Sequence, residues 1–270
     1  MQKINMQEVK TIEFEMLQYV KYICEKNNIK YYLGYGTLLG AVRHKGFIPW
    51  DDDVDVVLFR DEYNKLIDAI EEDNHDYLKV LHMKNSNAFF GPYSLLVDTR
   101  TFMKHYKIKK DVIDGMGVCI DIFPLDYFSN LKNAQKALSC SKFLKALNNL
   151  TMVSTFQYDR GLKGIAKRFM APLANMLGHR RLCEMIERLA NCANRGECNY
   201  VADLMWDPQM RWCIPSEAYN DVIMLEFEED KFSAPKNYDM ILKAGYGHYM
   251  QFPPENERNT GHDNVFYWKQ

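Results

Sequence analysis

The chain reads as an α+β protein: a mixed sheet flanked by helices, with a helical insert in its second half. Three observations predict this. Short runs of strand formers at 29–33, 53–59, 78–82, 93–98, 101–106 and 118–123 alternate with amphipathic helical periodicity at 9–27 and 61–72. From 130 to 194 the periodicity is almost wholly helical. Two of the strand runs are interrupted by aspartates, which strands disfavour.

In order, 9–27 places Val9, Ile12, Met16, Val20, Ile23 and Cys24 at spacings of three or four, and Asn27–Asn28 ends the helix. A strand over 29–33 then leaves through a turn carrying Gly34, Gly36 and Gly40, with Thr37 just after the second glycine. A helical turn resumes at 37–42, so backbone N–H groups near Gly36 and the Thr37 hydroxyl can meet an anion at a helix N-terminus. A glycine turn without function fits the same residues. Arg43, His44, Lys45 and Gly46 follow as a basic loop suited to a diphosphate, Arg43 best because its planar fork matches phosphate. A plain surface loop is the alternative.

Residues 53–57 precede strand formers and are expected to be extended, so Asp53 and Asp55 point the same way while Val54 and Val56 face the core. Like charges that close repel unless a cation sits between them. Carboxylate oxygens are hard ligands suited to Mg²⁺, or to Mn²⁺, with water and substrate phosphate completing the shell. Asp51 can join them, although a solvated acidic loop accounts for Asp51 and Asp52.

A helix is expected over 61–72, capped by Asp61, with Tyr63, Leu66, Ile67 and Ile70 inward. The strands at 78–82, 93–98 and 101–106 are expected to extend the sheet. In 118–123 Asp121 should share a side with Cys119 and Phe123, opposite Ile120 and Ile122; beside the Asp53 strand it becomes a third carboxylate of the same group. Helices over 130–149 and 162–194 form the insert, with Arg180, Arg181 and Arg188 expected in solvent, contact with a phosphorylated acceptor being the alternative. Trp206 and Trp212 offer aromatic cover for a glycan or head group, or core. A hairpin end at 227–232 and a last helix at 238–244 follow.

With 34 basic and 36 acidic residues the net charge is −2, which disfavours nucleic acid or polyanion binding. No stretch approaches a membrane span, and the first residues lack a signal-peptide core, so a cytoplasmic protein is expected, with at most peripheral association at the inner face of the cell membrane. Seven cysteines without a C-x-x-C pair fit reduced thiols.

The stretch 34–56, GYGTLLGAVRHKGFIPWDDDVDV, closely resembles the signature of the LicD-type phosphotransferases, whose namesake moves phosphocholine from CDP-choline onto surface glycans; fukutin and fukutin-related protein resemble it more distantly. Residues 119–126 and the run from Phe227 through Pro254 resemble two further family blocks, so the likeness covers roughly 10–262 and is weakest at 130–205. It implies a nucleotidyltransferase-like fold in which the Gly36–Thr37 turn holds donor phosphate and the Asp53–Asp55 strand holds metal. Arg258 and His262 lie in a polar tail that resembles the family's closing segment and is expected to fold over the donor site, a mobile end being the alternative. His248 stands where the family usually has aspartate.

The expected organisation is a catalytic core over 1–130, the helical insert over 131–205 and a segment completing the core over 206–270. The expected activity is Mg²⁺-dependent transfer of phosphocholine or a similar group from a CDP-activated donor to a hydroxyl of a cell-surface glycan or its lipid-linked precursor. Asp53 and Asp55 hold the metal and Gly36, Thr37, Arg43, His44 and Lys45 the donor. Asp121 is expected to be the general base, a third metal ligand being the alternative. A cytidylyltransferase using CTP, or a non-catalytic binder of glycan or nucleotide, are the rival readings.

Overall fold

The structure is a computed structural model describing residues 2–83, 85, 91–104, 115–152, 161–193, 198–205, 211–258 and 264–269. Helix α1 (Met6–Asn27) starts with a capping box: Asn5 Oδ1 accepts from Glu8 N–H at 2.9 Å and Glu8 accepts from Asn5 N–H at 2.8 Å. Its buried face carries Val9, Ile12, Met16, Leu17, Val20 and, unusually, Glu13.

The predicted strand at 29–33 shortens to β1 (Tyr32–Leu33), which pairs antiparallel with β2 (Asp55–Phe59). Between them lies α2 (Tyr35–His44). The basic loop expected at 43–46 is instead the end of α2: Arg43 and His44 occupy its last turn, where cations complement the helix dipole, and Lys45 is its left-handed cap. Helix α3 (Arg60–Asp73) begins two residues earlier than expected for an Asp61 cap; Asp61 sits in the first turn and no side chain caps the start. Arg60 is held there by Asp126 through two bonds of 2.9 and 2.7 Å, both side chains buried.

The main sheet continues with β3 (Leu78–Leu81), β4 (Ser94–Asp98) and β6 (Cys119–Phe128) in the order β1-β2-β6-β4-β3; β7 (Tyr200–Ala202) pairs with the far end of β6 and β8 (Ile214–Pro215) with β7. The β2–β6 pair is parallel and its neighbours are antiparallel, so the sheet is mixed. One expected strand leaves it: β5 (Thr101–Lys104) pairs with β11 (Val265–Trp268) in a separate ribbon. Thr101 sets that turn by donating to the Asp98 carbonyl and accepting from Val118 N–H, each at 2.8 Å.

The expected long helix at 162–194 is two. After α4 (Leu131–Met152) come α5 (Leu162–Leu177) and α6 (His179–Ala193), separated by Gly178 at φ +75, a left-handed conformation that ends α5. Leu182, Cys183 and Ile186 of α6 are fully buried, and α6 packs on β6. The hairpin of β9 (Val222–Phe227) and β10 (Asp230–Pro235) lies against β1 and α2, and α7 (Tyr238–Tyr246) also packs on α2. At the hairpin tip Glu228 donates its N–H to Lys45 O and accepts from Phe47 N–H, clamping the loop that follows α2.

Candidate active site

The parallel pairing of β2 and β6 sets Asp55 directly opposite Asp121. Val54, Val56, Ile120 and Ile122 are fully buried on the other side, as strand alternation requires. The main chain locks the two strands at this point, Asp121 N–H donating to Val54 O at 2.9 Å. Asp53 lies two residues before Asp55, so three carboxylates face one volume.

Their electrostatics record the crowding. Burial, then Asp53, Asp121 and Asp51, push the Asp55 carboxyl far above the usual range, offset only by a hydrogen bond from Gly36 N–H. Burial and Asp53 push Asp51 up to about 7. Tyr246 is raised by burial and then by Asp55, Asp51 and Asp53, which brings the end of α7 into the same neighbourhood.

A fourth acid was missed by the sequence reading. Glu13 of α1 is buried, its Oε2 has no hydrogen-bond partner among the described residues, and burial followed by Asp53, Asp52 and Asp121 raises its pKa strongly. The signal was available, since Glu13 interrupts an otherwise apolar helix face. Hard oxygens pressed together, one of them orphaned, fit a divalent cation. Among the described residues no three His, Cys, Asp or Glu side chains form a ready-made cage, so Asp53 and Asp55 would hold such an ion with substrate oxygens completing its shell.

The turn before α2 departs from expectation in one respect. Its left-handed residue is Tyr35, at φ 38, not a glycine. Such strain persists only where surroundings fix it: the Tyr35 hydroxyl donates to buried Asp203, and its ring packs on Trp212 and Phe123 at 4.9 and 5.4 Å. Gly40 is needed for close approach, since a Cβ there would lie 2.4 Å from the Gly46 carbonyl oxygen. At Gly36 a Cβ would meet only an Asp51 oxygen, at 3.0 Å, because this residue borders open space.

That space is a cleft of about 480 Å³ lined by Gly36, Arg43, Asp51, Trp50, Tyr246, His248 and Phe252 among others, a size suited to a small-molecule ligand. Arg43 donates to Tyr249 O at 2.8 Å and lies 5.0 Å from the Phe252 ring; Arg258 lies over Trp50 and Phe252 at 5.3 and 5.6 Å. Two guanidiniums thus share one aromatic platform beside the acidic group. Lys10 of α1 holds the loop in front of Trp50 through Ile48 O and Pro49 O.

The structure therefore brings Gly36, Arg43, Asp53, Asp55 and Asp121 together, with His248 on the same cleft. Thr37 is buried, and its hydroxyl accepts from Asp55 N–H at 2.8 Å, tying the turn to the carboxylate strand. His44 accepts from Arg43 Nε and stacks on Phe252; burial and Arg43 lower its pKa. Lys45 turns to Glu226 of β9. Trp206 and His262 lie outside the described residues.

A nucleotidyltransferase-like mixed sheet, aspartates on adjacent strands and a ligand-sized cleft at their edge define an enzyme that acts on phosphates. The LicD/FKTN/FKRP nucleotidyltransferase domain matches residues 28–177. Over 273 aligned residues, 99% of each chain, the protein is 30% identical to the lipopolysaccharide cholinephosphotransferase LicD of Haemophilus influenzae. It is 42% identical over 48 residues to the ribitol 5-phosphate transferase FKRP of human and mouse, 18% of this chain and 10% of FKRP. The chain belongs to the LicD family and is a phosphotransferase of that type.

Proposed function

We propose that the protein transfers phosphocholine, or a closely related phosphorylated group, from a CDP-activated donor to a hydroxyl of a cell-surface glycan or its lipid-linked precursor. The observation that carries this reading is the register of Asp55 opposite Asp121 beside the cleft. It is supported by the full-length likeness to a lipopolysaccharide cholinephosphotransferase. The transferred group is left open between phosphocholine and its relatives, because FKRP, similar over a shorter stretch, is named for ribitol 5-phosphate.

In this reading the Arg43 guanidinium at the cleft holds donor phosphate oxygens, Gly36 N–H being already given to the Asp55 carboxylate. Asp53 and Asp55 would hold Mg²⁺, which when bound would supply positive charge to offset that of the diphosphate and the departing CMP. Asp121 takes the proton from the acceptor hydroxyl as that oxygen bonds to phosphorus and the bond from phosphorus to the CMP oxygen breaks. Thr37 and Tyr35 keep the turn against the carboxylate strand.

The test offers the purified protein Mg²⁺ and CDP-choline, CDP-ethanolamine, CDP-glycerol, CDP-ribitol or a CMP-phosphonate, each with deacylated lipopolysaccharide, and follows CMP release. Acceptor-dependent CMP from one donor is the expected result. Pyrophosphate released from CTP, with none of the donors consumed, would overturn it in favour of a cytidylyltransferase.

A further inference from the structure

Helix α5 is folded inside out. The residues it buries fully are Gly164, Ala171 and Ala174, with Met170 and Leu177 half-buried beside them against the core. Five other large apolar side chains, Leu162, Ile165, Phe169, Leu173 and Met176, are 86, 49, 79, 44 and 72% exposed. With 3.6 residues per turn these five fall within a stripe about 80° wide, opposite the small residues. An amphipathic helix of a globular protein puts such a stripe inward, and a continuous exposed one marks a docking surface.

Charge identifies what docks. Lys163 and Arg168, both exposed, flank the stripe on either side. From 160 to 183 the chain has six Lys and Arg and no Asp or Glu, and from 131 to 205 twelve against five, although the whole protein carries −2. A second copy would set one basic face against another, and a neutral apolar partner would leave the charge unused. An anionic lipid surface satisfies both, apolar side chains entering the acyl boundary and Lys and Arg meeting headgroup phosphates. No described helix is long and apolar enough to cross a membrane, so attachment would be in the plane.

We propose that α5 is an interfacial anchor that seats the enzyme on an anionic bilayer, Leu162, Phe169 and Met176 inserting and Lys163 and Arg168 meeting headgroups. The surface is separate from the acidic site, and its test does not depend on which group is transferred. The full chain is floated with vesicles of phosphatidylcholine alone, and with vesicles containing about one-third phosphatidylglycerol, at low and high salt. Binding to the anionic vesicles should exceed that to neutral ones by about tenfold or more and weaken with salt. Leu162→Ser with Phe169→Ser, and separately Lys163→Glu with Arg168→Glu, should each lower it about tenfold, while melting and CMP release with a water-soluble acceptor stay as in the parent. Failure to bind anionic vesicles overturns the proposal, as does binding that neither variant weakens. A dimer in sedimentation that the serine variant dissolves, without vesicle binding, would reassign the stripe to self-association.

Discussion

The acidic end of β2 and β6 and the outer face of α5 break the same rule in opposite directions. At the first, carboxylates of Asp55 and Glu13 lie buried among like charges; at the second, five large apolar side chains stand in solvent. Each arrangement is unfavourable for the isolated chain, and each would be relieved by the partner proposed for it: a cation and phosphates in one case, a bilayer surface in the other. Between these regions the protein follows ordinary packing, with Phe123, Phe128, Phe227 and Phe232 filling its centre. Departures from burial rules therefore locate function better than the core does.

The contrast can be broken at either end. The largest effect is expected at the buried carboxylates: Asp53→Asn or Asp55→Asn should leave no measurable CMP release. Because Asp55→Asn also removes a charge that Asp53 and Asp121 oppose, the metal-free variant should melt no lower than the parent. Full turnover in chelator, or in either variant, would dismiss the metal assignment. Asp121→Asn should slow single-turnover transfer by about a hundredfold to ten-thousandfold while Mg²⁺-dependent CDP binding, followed by calorimetry, persists. Loss of binding in parallel with rate would make Asp121 a metal ligand instead.

Stability effects come next. Arg60→Met strands the buried Asp126 carboxylate and should cost about 3–5 kcal/mol in urea unfolding, whereas Arg60→Met with Asp126→Leu should recover much of it. Gly40→Ala gains helix propensity but drives a Cβ into the Gly46 carbonyl, for a net loss of about 1–3 kcal/mol. At the small end, Lys163→Glu with Arg168→Glu should move stability by no more than about 0.5 kcal/mol, since both side chains are exposed. A large loss there would mean that α5 contributes to the fold through its charged flanks.

Much of the site was legible because strand alternation is a short-range rule: Asp53, Asp55 and Asp121 were aimed correctly from the apolar residues beside them. Their union needed the β2–β6 pairing, which no local pattern specifies. Lys45 and His44 were read as loop cations because the helix was expected to stop at Val42, whereas the left-handed cap falls at Lys45. Glu13 and Tyr246 belong to the site through contacts some 40 and 190 residues distant in the chain, and only the misfit of a glutamate on an apolar face hinted at the first. Gly178 was passed over because the periodicity of 162–194 continues across it, although its left-handed backbone divides the helix.

The register of Asp55 with Asp121 gives the segment before β6 a tolerance governed by parity. Removing or adding one residue between Val118 and Asp121 would turn an isoleucine toward the cleft and the aspartate into the core, a double penalty that no conservative substitution there would match. A change of two residues restores the facing but slides the carboxylate about 6.6 Å along the strand, out of reach of its partner. Length, more than identity, is thus the property of residues 118–120 that evolution and engineers are least free to alter.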